Sequence, residues 1–196
     1  MKYEHEFQCH KLDSACPFYT GHLPDDLELS AEQFDELWNL HPKEFNEIHL
    51  HGRRVKIPRW QQAFGKNYHF SGQSSKALPT PEILQPILSW CRAEIFERLN
   101  GLLLNWYDGK LNHYIGKHRD SVTNMVKGAP IVTVSFGEER TFRLRPWKAK
   151  GMTDFSASNG SVFVMPYETN LAWTHEVTKR AKQMDRRISV TLRAFE

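Results

Sequence analysis

The sequence predicts a mainly β protein with flanking helices, an antiparallel sandwich or jelly roll. Two observations predict it. After Gly101 the chain breaks into short β-rich runs: LLLNWY (102–107), IVTVSF (131–136), TFRLR (141–145), SVFVM (161–165), AWTHEV (172–177) and RISVTLRAF (187–195). Turn signals punctuate them, at Asp108-Gly109, Gly128-Ala129-Pro130, Gly137, Gly151 and Asn159-Gly160. Such spacing fits hairpins better than parallel strands joined by crossover helices.

The elements before Gly101 follow in order. Residues 1–29 carry little periodicity and read as an arm. Ser30-Ala31-Glu32-Gln33 is a capping-box start, and Phe34, Leu37 and Trp38 fall on one face of the short amphipathic helix that follows. From Thr80, with Pro81 at the first helical position, Ile83, Leu84, Ile87, Leu88, Cys91, Ile95 and Leu99 keep a 3.6 period up to Gly101. This is the one long helix expected, and it should back the sheet.

Composition narrows the class. A chain of 196 residues with 40% hydrophobic and 12% aromatic side chains is expected to form one domain with a proper core. No apolar run approaches the roughly 18 residues of a membrane span, so the expectation is a soluble protein of the cytoplasm, or of the nucleus in a eukaryote; the sequence does not give the oligomeric state, and a monomer is the default. Cys9, Cys16 and Cys91 lack CxxC spacing and read as reduced thiols. Residues 1–47 carry 11 acidic and 3 basic side chains, whereas residues 48–196 carry 23 basic and 12 acidic. That asymmetry divides the chain into an acidic N-terminal arm or decoration (1–47) and a basic domain (48–196) able to attract a polyanion.

One constellation carries chemistry. In a strand, residues i and i+2 project to one face, so His118 and Asp120 can converge while Arg119 turns away. His175, in a later β-like run, is the natural third ligand. Two histidines and one carboxylate leave coordination positions open, which suits non-heme Fe(II) chemistry with oxygen. Arg187, Ser189, Thr191 and Arg193 alternate with Ile188, Val190 and Leu192, giving one strand a polar face with two guanidinium groups. Buried, that face needs anions, and a dicarboxylic acid presents two carboxylates matching the guanidinium fork. Asn105 and Tyr107, again two apart, can offer further hydrogen bonds. Each feature alone has a plainer reading, as a polar pair near a strand end or a solvated strand edge.

In the order Asn105-Trp106-Tyr107, His118-Arg119-Asp120, His175 and Arg187 to Arg193, the sequence resembles the AlkB family of Fe(II)- and 2-oxoglutarate-dependent dioxygenases. The spacings resemble it too, with 57 residues from His118 to His175 and 12 from His175 to Arg187. The resemblance runs from about Ile48 to the C-terminus. It implies a double-stranded β-helix, with His118, Asp120 and His175 as catalytic ligands of iron. It also implies Arg187 on the far carboxylate of 2-oxoglutarate, Arg193 at the end near the metal, and Asn105 and Tyr107 in support. The implied reaction consumes O2 and 2-oxoglutarate and hydroxylates a substrate C–H bond. On an N-alkylated base of the 1-methyladenine or 3-methylcytosine type it releases formaldehyde, succinate and CO2.

The stretch IPRWQQAFGKNYHFSG (57–72) resembles the nucleotide-recognition lid of the family's DNA and RNA repair members, placing the lid at about 48–72. By that match Tyr68 and Phe70 line the base pocket, Phe70 stacks on the flipped base, and Arg59 contacts the backbone of the nucleic acid. An extruded base recovers lost stacking on such an aromatic face. Arg53, Arg54 and Lys56 before the lid's core, and Lys179, Arg180 and Lys182 before Arg187, are placed to meet phosphates. His51 stands where a duplex-specific member would carry an apolar wedge, and Ser121-Val122-Thr123 follows Asp120 instead of an acidic pair. Both departures favour single-stranded DNA or RNA over duplex. Two other functions compete: the same chemistry on a protein or small molecule, and a nucleic-acid-binding module without turnover.

Overall fold

The computed structural model describes residues 3–50, 52–70, 73–179 and 185–196. In chain order the elements are α1 (Tyr3–Glu6), β1 (Gln8–Lys11), β2 (Pro17–His22), α2 (Ala31–Trp38), β3 (Glu47–Leu50), β4 (Arg53–Lys56), β5 (Trp60–Phe64), β6 (Tyr68–Phe70) and β7 (Gln73–Ser75). Then come α3 (Gln85–Glu94), β8 (Gly101–Asp108), β9 (Ile115–His118), β10 (Ile131–Gly137), β11 (Arg140–Pro146) and β12 (Thr153–Ala157). The chain ends with β13 (Ser161–Met165), α4 (Tyr167–Ala172), β14 (Trp173–Val177) and β15 (Arg186–Arg193).

Two antiparallel sheets face each other in a jelly-roll sandwich, as the strand texture predicts. The larger has the order β1-β2-β13-β10-β15-β8-β5 and the smaller β12-β11-β14-β9, while β3-β4 and β6-β7 form separate two-stranded ribbons. Side-chain alternation divides the larger sheet's work. Leu102, Leu104 and Trp106 on β8, Ile188, Val190 and Leu192 on β15, and Val132, Val134 and Phe136 on β10 share one buried face. Leu37 and Trp38 of α2 and Ile87, Leu88 and Cys91 of α3 cover it. On the opposite face, cross-strand pairing lines up Gln61, Asn105, Ser189 and Ser135 in one polar row across four strands. A second, largely aromatic core, with Phe18, Phe142, Phe163 and Trp173, fills the space between the sheets beside that row.

Three expectations need correction. The acidic segment is not an arm: β2 pairs with β13 along Ser161 to Val164, and β1 extends the sheet by one more strand. Its weak periodicity reflects strands buried unevenly at a sheet edge, which neither helical nor alternating templates match. The helix expected from Thr80 to Leu99 is shorter. A 3-10 turn occupies Glu82–Leu84 and α3 starts at Gln85, because Pro86 has no N–H and sits best in a first helical turn. Past Glu94 the chain tightens into a turn, Leu99 N–H donating to the Phe96 carbonyl at 3.2 Å, and Gly101 opens β8. The strand read through His118 and Asp120 ends early, since β9 stops at His118 and leaves Asp120 beyond it, and β12, largely exposed, was not expected. The capping box holds as expected: Ser30 Oγ accepts from Gln33 N–H at 3.3 Å and Gln33 Oε1 from Ser30 N–H at 2.9 Å. All three cysteines are free.

Candidate functional site

Pairing of β14 with β9 sets His175 directly opposite His118 in the smaller sheet. Asp120 lies just beyond the end of β9, where Asn170 of α4 clamps its backbone from both sides. Asp120 N–H donates to Asn170 Oδ1 at 2.9 Å and Asn170 Nδ2 donates to the Asp120 carbonyl at 3.1 Å. The carboxylate is thereby turned between the two rings. Asp120 Oδ1 is 3.5 Å from His118 Nε2 and 3.6 Å from His175 Nε2, and the three potential ligand atoms lie within 4.8 Å of one another. His118 Nδ1 is 2.8 Å from the Gly116 carbonyl, a contact in which the ring must donate, which frees Nε2 as the ligand atom. Phe142 stacks on the His175 ring, with centroids 5.4 Å apart, and fixes its plane.

The charges fit a metal. Burial alone would raise the Asp120 carboxyl, but the Arg193 guanidinium and the two histidines overcome it and hold it well below the usual carboxylate range. Burial, reinforced by His118, pushes His175 down to about 3, so its imidazole is neutral and its lone pair available at neutral pH. A carboxylate and two imidazole nitrogens facing one point are a donor set for Fe(II).

From the triad a pocket of about 510 Å³ extends across the polar row to Arg187. Arg187 is 1% exposed and gives one hydrogen bond, Nη2 to Ser135 Oγ at 2.9 Å, while Nε and Nη1 have no partner. Its guanidinium lies over the Tyr107 ring at 5.1 Å, and burial lowers its pKa to about 10. A buried cation with open donors is the fitting partner of a carboxylate. Arg193 donates to Asp120 Oδ2 and stacks over Tyr68 at 4.5 Å. Asn105 and Tyr107 line the same pocket.

The structure therefore brings together seven of the residues the sequence singled out, the triad with Asn105, Tyr107, Arg187 and Arg193. Tyr68 joins them, buried to 6% exposure, and burial raises its phenol to about 12. Arg59 departs from expectation. It is 7% exposed and points inward, donating from Nε to Asn105 Oδ1 at 2.7 Å and from Nη2 to Gln61 Oε1 at 3.0 Å. Two acceptors on neighbouring strands draw it into the pocket and away from any backbone outside. His51, Arg180 and Lys182 lie outside the described residues, as does the side chain of Phe70. The sequence reading missed Asn170, Gln61 and Ser135, whose roles depend on contacts between elements distant in the chain and leave no local motif.

The comparisons accord with this geometry. Residues 22–193 match the family model of the 2OG-Fe(II) oxygenase superfamily. The DNA oxidative demethylase ALKBH2 of Homo sapiens is 29% identical over 157 residues, covering 74% of this chain and 60% of that protein. Its Bos taurus counterpart is 28% identical over 157 residues, covering 74% and 56%. The Arabidopsis thaliana protein is 34% identical over 119 residues, covering 49% and 38%. The chain thus spans under two thirds of the length of these relatives. Among solved structures, OsALKBH1 superimposes with a TM-score of 0.60 at 14% identity, over 95% of this chain and 99% of that one. A Burkholderia pseudomallei oxidoreductase of the 2OG-Fe(II) oxygenase family gives 0.54 at 16% identity, over 89% and 84%. At such identities the superpositions speak for the fold. The family match, which runs from the end of β2 to the end of β15 and takes in the whole His118, Asp120 and His175 cluster, carries the assignment: the chain belongs to the 2OG-Fe(II) oxygenase superfamily, and within it to the AlkB family.

Proposed function

We propose that the protein is an Fe(II)- and 2-oxoglutarate-dependent dioxygenase that dealkylates N-alkylated bases of nucleic acid, of the 1-methyladenine or 3-methylcytosine type. Its products besides the restored base are formaldehyde, succinate and CO2. The observation that carries the reading is a single pocket with the His118, Asp120, His175 cluster on one wall and the unpartnered donors of Arg187 on another. When bound, iron with 2-oxoglutarate and O2 supplies the oxidising power for hydroxylating an N-methyl C–H bond. The remaining work belongs to the chain.

Arg187 takes the far carboxylate of 2-oxoglutarate with one of its unpartnered donors, with Tyr107 beneath it. Arg193 holds Asp120 Oδ2, leaving Oδ1 for the metal, and neutralises charge at the near end. Asn105, tied to Arg59, keeps the floor polar. Ile48, Val55 and Ile57 of the lid region and Tyr68 at its edge form the apolar side of the pocket and shut out water around the reacting methyl group. Tyr68 and Phe70 supply the aromatic faces for an extruded base. The relatives' name, DNA oxidative demethylase, supports DNA as the polymer. Absence of an acidic pair after Asp120 supports single strands over duplex, and a monomer in the cytoplasm or nucleus is the form we propose acts. No helix among the described residues is long and apolar enough to cross a membrane.

The test is anaerobic loading with Fe(II) and 2-oxoglutarate, then oxygen, with mass spectrometry of single-stranded DNA and RNA oligonucleotides carrying either base. Loss of one methyl mass matched by succinate is expected. Succinate formed with every such oligonucleotide left intact would move the substrate to a protein or small molecule. Oligonucleotide binding with no succinate would leave only a binding module.

A further inference from the structure

Besides those of Arg187 and Arg193, the pocket contains an unsatisfied donor that neither the metal nor 2-oxoglutarate uses. Gln61, on β5, is 2% exposed and lines the pocket, and its Nε2 has no hydrogen-bond partner. The orientation of its amide is not arbitrary. Arg59 Nη2 lies 3.0 Å from Gln61 Oε1, and a guanidinium can only donate, so the oxygen must face Arg59 and the NH2 group must face away from it. Arg59 Nε fixes Asn105 Oδ1 by the same logic. One buried arginine thus commits two neighbouring amides to face it with their oxygens. For Gln61 the result is a buried donor in the pocket wall, whose desolvation is uncompensated until an acceptor arrives.

Position indicates which molecule brings it. β5 is the edge strand, with β8 between it and the β15 strand that carries Arg187. At about 4.8 Å per strand spacing, that separates the backbones of Gln61 and the arginine strand by about 10 Å. The lid side is closer: Asn46, one residue before β3, donates from Nδ2 to the Gln61 carbonyl at 3.1 Å. Gln61 therefore stands at the substrate's end of the pocket.

We infer that Gln61 is a specificity-determining residue whose Nε2 donates to the acceptor common to both substrate bases, N3 of a purine or O2 of a pyrimidine. These two atoms occupy equivalent positions on the sugar edge, so one donor serves 1-methyladenine and 3-methylcytosine alike. Methylation at N1 of adenine or N3 of cytosine leaves both of them free. The inference rests on the nucleobase reading of the site and names the edge by which the base is held.

Chemical deletion on both partners tests it. Binding of single-stranded oligonucleotides carrying 1-methyladenine, 1-methyl-3-deazaadenine or 1-methyl-7-deazaadenine is measured by fluorescence anisotropy, anaerobically, on protein loaded with Fe(II) and 2-oxoglutarate. Gln61→Leu and the 3-deaza base should each weaken binding about tenfold, and together no more than either alone, while the 7-deaza base binds as the parent does. Gln61→Glu keeps the atom that Arg59 holds and replaces the donor, so it should match Gln61→Leu and guard against a packing artefact. Multiplying losses, coupling to the 7-deaza base, or a weakened Kd for 2-oxoglutarate in Gln61→Leu would each overturn the inference. Wild-type protein that binds methylated and unmethylated strands equally and demethylates neither would instead remove the nucleobase reading, and the inference with it.

Discussion

At the scale of single residues, the site is organised by buried charges whose partners are absent from the chain itself. Arg187 is the clearest: two open donors at 1% exposure give it no net stabilising role in the apoprotein. Arg187→Met should therefore leave the apoprotein's Tm unchanged or higher by thermal denaturation. It should also abolish the rise in Tm that 2-oxoglutarate gives the wild type, about 2.7 kcal/mol at a hundredfold excess over Kd. His175 makes a pH prediction for the metal-free protein. Its pKa is about 3 when folded, because of burial first and His118 second, against the ordinary 6.5. Between those values the unfolded chain binds a proton that the folded one refuses, so stability is complete above about pH 6.5 and falls as pH drops toward 3. The slope reaches up to about 1.4 kcal/mol per pH unit. Asp120, depressed from 3.8, adds its own loss only at lower pH. Denaturant titrations from pH 7 to 4 check this, and His175→Leu should flatten the slope.

At the scale of elements, what was legible in the sequence follows from what each element needs locally. β8, β10, β13 and β15 were readable because their burial is written in their own composition, either as unbroken apolar runs or as strict alternation. The two arginines were readable for the same reason, since Ile188, Val190 and Leu192 place Arg187 and Arg193 on one face, whereas His118 and Asp120 meet because Asn170 turns Asp120 beyond the end of β9 and not by alternation within a strand. Asn170 and Gln61 were not readable: Asn170's partner, Asp120, is 50 residues away, and Gln61 is turned into the site by Arg59, whose other acceptor, Asn105, lies 46 residues from that arginine. Arg59 was expected on the nucleic-acid backbone because nothing in its own segment announces its acceptors Asn105 and Gln61. Gly137 was read only as a turn, yet it is conformationally committed. Its φ is +84°, and a Cβ there would meet the Arg186 carbonyl and the Phe34 ring. Gly137→Ala should destabilise the β10–β11 turn by more than about 1 kcal/mol, lowering Tm by at least about 2–4 °C for a chain of this size.

At the scale of the whole molecule, the acidic and basic parts of the chain are joined by packing, which sets what can be removed. α2 lies against the back of the larger sheet: Trp106 Nε1 donates to the Leu37 carbonyl at 3.0 Å, and Arg186 pairs with Asp35 at 2.6 Å while its guanidinium lies 5.2 Å from both Phe34 and Trp38. At the other edge, Phe18 of β2 is fully buried against Phe142, Phe155 and Phe163, and Phe142 is the ring that stacks on His175. Removing residues 1–47 would take away one wall of the aromatic core beneath a metal ligand and open the β13 edge to pairing with other chains. The isolated segment 48–196 should accordingly be recovered as aggregate, or as monomer with a Tm far below that of the full chain and weakened metal binding by calorimetry. Phe18→Ala in the full chain isolates the packing contribution, with an expected loss of about 3–5 kcal/mol. A soluble, cooperative 48–196 fragment that binds metal as the full chain does would show instead that the acidic segment is an accessory to the domain.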